Sequence, residues 1–109
     1  MKIENIYPTS FDWDTLTAEK SNGETGYATC KTQNFGFIKL RQVEYSTNYL
    51  ADHWCDKGHV VIVVKGELII QHINQTELTI NCGSTYVVGD NSMAHKARSI
   101  DGATALIID

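Results

Sequence analysis

Residues 59–64 read HVVIVV, a run of mostly β-branched side chains with no polar residue interleaved. Such side chains lose rotamer freedom in a helix and pack well on a pleated surface, so the run is expected to be a strand. A strand that fails to alternate is covered on both faces. One face, His59, Val61 and Val63, then meets the interior, and the other, Val60, Ile62 and Val64, needs cover from a second sheet or a second copy of the chain. The expectation drawn here is a homodimer, with Trp54 and an N-terminal strand around Ile3 to Tyr7 at the contact.

The rest of the chain punctuates in the same way. Alternating or β-rich segments run at about 25–33, 37–45, 59–65, 67–73, 76–81, 84–88, 94–99 and 103–108, separated by turn residues such as Gly36, Gly66, Asn74-Gln75, Gly83, Gly89-Asp90-Asn91 and Asp101-Gly102. Only residues 11–19 suit a short turn or helix. Short strands joined by hairpin-length links predict an all-β chain: a small antiparallel β-barrel or jelly roll. With 109 residues and no linker or repeat, residues 1–109 form one domain, of which 1–24 read as an arm open to exchange between subunits.

Charge narrows the partners. A net charge of -4, with nine Lys and Arg scattered from Lys2 to Arg98, argues against nucleic acid and anionic membrane. The N-terminal stretch has no apolar core of a secretory signal, and no run reaches the length of a spanning helix, so a cytoplasmic protein is expected. Cys30, Cys55 and Cys82 are odd in number and far apart, which suits reduced thiols rather than a disulfide framework.

Directly ahead of the apolar run stands DHWCDKGH, Asp52 to His59. Were this stretch extended, His53 and Cys55 would share a face and Trp54 the other. After the turn at Lys57-Gly58, His59 opens the next strand, and His95 follows the turn at Gly89-Asp90-Asn91. Three imidazoles and a thiol are thus expected to converge as metal ligands: His53, Cys55, His59 and His95. Alternation further places Gln42 and Tyr86 at the pocket wall. His72, in phase with Leu68 and Ile70, reads as structural or as a barrel-rim residue.

These spacings resemble the cupin superfamily. His53-Trp54-Cys55, three residues, His59, six residues and Gly66 follow its first motif, with Cys55 in the place of a second His and His59 in that of a Glu. Gly83, five residues, Gly89-Asp90-Asn91, three residues and His95 follow its second with one extra residue. Within that superfamily the chain is similar to small single-domain DHCW-motif proteins, through Asp12-Trp13, Asp52-His53-Trp54-Cys55, KGH, KGEL and the closing LIID. The resemblance implies a double-stranded β-helix with a pocket inside, and many small cupins pair as dimers.

A set of imidazoles with or without a thiolate suits zinc first, and imidazole also suits iron, nickel and copper. Two classes of function stay open: a metal-dependent enzyme acting on a small polar metabolite, and a module that binds or senses a small ligand or metal without turnover. A cupin that has lost its metal and keeps these residues structurally is the plainest alternative. The number of protein ligands separates the first two, since a closed set of four suits a structural or sensing metal and three leave a position for chemistry.

Overall fold

The computed structural model describes residues 2–109. Seven strands carry the fold: β1 (Glu19–Asn22), β2 (Tyr27–Phe35), β3 (Ile38–Leu50), β4 (His59–His72), β5 (Glu77–Asn81), β6 (Thr85–Val88) and β7 (His95–Ile108), preceded by one 3-10 turn at Trp13–Thr15. All pairings are antiparallel, in the order β1-β2-β3-β7-β4-β5, with β6 also on β4. The all-β expectation holds.

Two strands run on where the sequence suggested a turn. Gly66 and Asp101-Gly102 were expected to reverse the chain, yet both lie inside continuous strands. β7 follows β4 from Val60 opposite Ile108 to His72 opposite His95, with register shifts between Val63 and Lys65 and between Gly66 and Ile69. Gly66 and Gly102 both take positive φ, 72° and 95°, and a Cβ on Gly66 would lie 2.4 Å from the Gly102 carbonyl oxygen. Glycine therefore serves here to bend two paired strands together, not to turn one back. Through this bend β4 pairs with β6 along residues 59–62 and with β5 along residues 67–71, so one strand serves both halves of the jelly roll.

β1 was not foreseen. Its sequence, EKSN, is exposed at every position, so no apolar residue marks its period; it is a charged edge strand laid on β2.

Side chains on the concave side form the core: Val43 from β3, Val61, Val63, Leu68 and Ile70 from β4, Ile80, Tyr86, and Ala105 and Ile107 from β7. Val63, Leu68 and Ala105 have no solvent contact, and removing the Leu68 side chain beyond Cβ would cost about 2–5 kcal/mol. On the convex side Val60 and Ile62 are half-buried, while Val64 and Val87 are exposed. The N-terminal arm lies along this outer side, where Ile3, Ile6, Tyr7 and Phe11 border an apolar cleft of about 740 Å³ with Phe35, Ile38, Leu40 and Ile108. No helix of the described residues is long and apolar enough to cross a membrane.

Candidate metal centre

The site is assembled at one end of the core from the start of β4, the start of β7 and the loop between β3 and β4. His59 opens β4 on the concave face, in phase with Val61 and Val63. His95 opens β7 and is buried. Cys55 belongs to no strand but makes a single bridge to His95, its N–H donating to the His95 carbonyl at 2.8 Å and its carbonyl accepting from the His95 N–H at 3.0 Å. That pair of bonds fixes one residue of the loop against β7.

The loop is pinned a second time. The Gly58 N–H donates to Asp90 Oδ1 at 2.6 Å, and the Asn91 N–H to the Asp56 carbonyl at 2.8 Å. Asn91 takes φ 58°, the left-handed conformation that asparagine tolerates, so the turn carrying His95 closes without glycine at that position.

The donor atoms of Cys55, His59 and His95 all lie within 4.8 Å of one another. Cys55 Sγ is 3.4 Å from His59 Nε2, and the two imidazole rings meet edge to face with centroids 5.3 Å apart. Ordinary zinc bond lengths to sulfur and nitrogen would place two such ligands about 3.6 Å apart in a tetrahedron.

Hydrogen bonds settle which nitrogen each ring offers. His95 Nδ1 lies 2.8 Å from the Met93 carbonyl, which only accepts, so Nδ1 carries the proton and Nε2 the lone pair. His59 Nδ1 lies 3.1 Å from Asp109 Oδ2, so its Nε2 likewise turns a lone pair toward Cys55. Asp109 Oδ2 also accepts from Arg41 Nη2 at 3.2 Å. Burial holds the His59 imidazole below the usual histidine range; Asp109 opposes this, while Arg41 and His95 add to it. The neutral ring is the ligand form.

Around this group Tyr86 packs with its ring centroid 6.2 Å from that of His95, and its phenol is 2.8 Å from His72 Nε2. His72 donates from Nδ1 to the Thr76 carbonyl at 3.1 Å, so the phenol is the donor in that contact, and burial pushes the phenol's pKa up. His72 is a buried residue with both nitrogens engaged, as its phase with Leu68 and Ile70 implied.

Two expected neighbours lie elsewhere. His53 is 79% exposed at its side chain, with Nδ1 2.6 Å from Asp52 Oδ1. The expectation that it shares a face with Cys55 assumed a strand, and residues 51–58 form none, so the alternation rule does not apply. Gln42 alternates with Arg41 and Val43, which face the core, and so belongs to the convex side. Trp54 is part-exposed beneath the Lys96 ammonium, 4.6 Å from its ring centroid.

Asp109 and Arg41 are not among the site residues expected from the sequence. The signal for both was phase: Arg41 in step with Val43, and Asp109 in step with Ala105 and Ile107.

No family model and no curated protein matches the chain. Solved structures do. A predicted oxalate decarboxylase from Thermotoga maritima superposes with a TM-score of 0.77 at 9% identity, over 92% of this chain and 96% of that one. A cupin-like protein from the same organism gives 0.71 at 17% identity, over 83% and 74%. The chain has the cupin fold. A further structure of the fold, Fe(II)-HppE with an alternative substrate, gives 0.76 at 12% identity, over 94% of this chain and 60% of that one.

The residues of this chain fit a bound transition metal by their own chemistry. Among the described residues, the buried side-chain nitrogens and oxygens without a partner are His95 Nε2, Arg41 Nε and Asp109 Oδ1. An unpaired buried polar atom costs about 1–3 kcal/mol, and His95 Nε2, fixed as an acceptor beside a thiol and a second imidazole, is the atom a cation would satisfy.

Proposed function

We propose that this cupin is a metal-dependent enzyme acting on a small polar metabolite, with Cys55, His59 and His95 as the protein ligands. The observation that carries this reading is their number. Three protein donors within 4.8 Å, with His53 turned to solvent, are the complement of a catalytic site rather than of a closed structural one. Zinc suits one thiolate and two imidazoles best, with iron, nickel and copper as the other candidates.

A bound metal would supply Lewis acidity, or hold a reactant beside the substrate. The chain's residues supply the setting. Cys55 brings the one negative charge the ligand set can carry, and the Lys57 N–H, 3.4 Å from Sγ, supports that charge. Tyr86 and the core side chains keep water from the far side of His95. His59 and Asp109 also border a cleft of about 550 Å³ that Lys39, Lys57 and Asp90 flank, a volume suited to a small polar molecule.

The binding or sensing alternative has one observation in its favour. The carboxylate nearest the ligands, Asp109, engages both Arg41 and His59 through Oδ2, an arrangement that suits holding His59 in place more than moving a proton.

Metal analysis after purification without a metal-affinity tag, followed by activity screening of the reloaded protein, tests the proposal. One equivalent of metal and metal-dependent turnover are expected. Failure to bind zinc, iron, nickel or copper would overturn it, and stoichiometric metal without turnover on any small metabolite tried would favour sensing.

The same reading includes a homodimer in a reducing, cytoplasmic setting, supported by three free cysteines and by the apolar outer side of β4 and β6, where Val64 and Val87 are 45% and 68% exposed. The arm, with Ile3 71% and Tyr7 89% exposed, is the segment that would cross to the partner. Light scattering should give twice the 12.2 kDa of one chain, and Ile62→Lys should lower that mass or prevent folding. A wild-type mass of one chain would end the dimer reading.

A further inference from the structure

The geometry points to Asp109 as the residue that decides which face of His59 is offered to the metal, with Arg41 holding Asp109 in place. This inference rests on the metal-site reading above, and its test separates the two.

A neutral imidazole in water favours no ligand-ready geometry, and a ring used as a ligand needs its other nitrogen engaged to fix tautomer and orientation. At His95 that partner is a main-chain carbonyl, Met93, only two residues away. At His59 it is a side chain fifty positions later in the chain, brought there by the fold. Asp109 is itself held on both backbone groups: its carbonyl accepts from the Lys39 N–H at 2.6 Å, and its N–H donates to the Lys39 carbonyl at 3.0 Å. The end of β7 thus aims one carboxylate at His59.

Arg41 approaches the same carboxylate from β3. Arginine and a carboxylate frequently join through two parallel bonds. Here one is made, Nη2 to Oδ2 at 3.2 Å, and the other is not: Arg41 Nε and Asp109 Oδ1 are buried without partners. The oxygen that Arg41 reaches is the one His59 uses, so both donors draw on Oδ2. A pair optimised for stability alone would complete the fork. This one keeps the carboxylate turned to the imidazole at the expense of its second bond to Arg41. Asp109 is therefore a positioning residue for His59, and Arg41 a positioning residue for Asp109.

The experiment reads the His59 tautomer and the metal affinity separately. Nitrogen chemical shifts of the metal-free protein at mildly alkaline pH should show His59 protonated at Nδ1, with His95 as an internal control. In Asp109→Ala the His59 proton should move toward Nε2 while His95 stays as it was, and zinc affinity should fall about 10–100-fold. Arg41→Lys, which keeps the charge and removes the guanidinium, should give a smaller shift of the same kind. Nitrogen spectra of Asp109→Ala identical to wild type at His59 would overturn the inference, and so would a changed tautomer with unchanged zinc affinity. If Asp109→Ala fails to fold, Asp109→Asn serves, because a neutral acceptor at the same place should weaken the tautomer preference without emptying the space. Wild-type protein that binds no zinc would sink the metal reading, while the tautomer shift would still stand or fall by itself.

Discussion

His53 and His59 are six positions apart and end in opposite surroundings. The first lies in the loop before β4, its side chain 79% exposed against the Asp52 carboxylate; the second opens β4, 11% exposed, between Cys55 and Asp109. In β4 each side chain's direction is set by ladder bonds to β6 and β7 on either side. In the loop Cys55 alone makes a two-bond bridge, to His95; Ala51 and Asp56 make one backbone bond each, and His53 makes none. A ligand is reliably aimed where the backbone is paired, and in this loop that condition holds for Cys55 and not for His53.

The widest break between the two regions should come from the ligands themselves. Cys55→Ala, His59→Ala and His95→Ala should each lower zinc affinity by more than the roughly 100-fold that loss of a supporting partner can cost, whereas His53→Ala should leave it unchanged within error; isothermal titration of the four variants measures both. An equal loss in His53→Ala would place that residue back among the ligands.

Why His53 was misplaced in the sequence reading shows what was legible. The apolar run at residues 59–64, the turn residues and the two histidine spacings identified strands, fold and the neighbourhood of Cys55, His59 and His95, because each signal depends on near neighbours in the chain. What could not be read depends on pairing between distant segments. Gly66 and Gly102 look like turn residues until each is seen to face the other across β4 and β7. Gln42 and Arg41 are adjacent, and only the concavity of the sheet decides that Arg41 points inward. Asp109 meets His59 solely because β7 runs back along β4.

Thiol chemistry sharpens the contrast further. With a limiting alkylating reagent, the labelling of Cys55 should slow on addition of zinc, since the metal would hold its thiolate, while the exposed Cys82 and the half-buried Cys30 should label at unchanged rates. Peptide mass mapping reads each cysteine, and equal Cys55 rates with and without zinc would return it to a structural role.

Acid should separate the regions by pH window in the metal-free protein. Burial depresses the pKa of His59, so the unfolded chain takes up that proton first as pH falls; the stabilisation is complete above about pH 6.5 and is lost as pH drops through the lower folded value. Asp52 is held below the usual carboxylate range by its hydrogen bond with His53, so its contribution is complete above about pH 4 and is lost only as pH falls through its folded value. Denaturant midpoints against pH should therefore flatten just below pH 6.5 in His59→Gln, and change only below about pH 4 in Asp52→Asn. The Asp52 effect should be the smaller, because that pair is exposed and screened.

The most direct test of the centre is X-ray absorption at the zinc edge, on protein carrying Cys30→Ser and Cys82→Ser so that Cys55 is the only thiol. The arrangement of Cys55, His59 and His95 predicts one sulfur near 2.3 Å and two imidazole nitrogens near 2.0–2.1 Å. A shell with three imidazoles and no sulfur would contradict it and bring His53 into the centre.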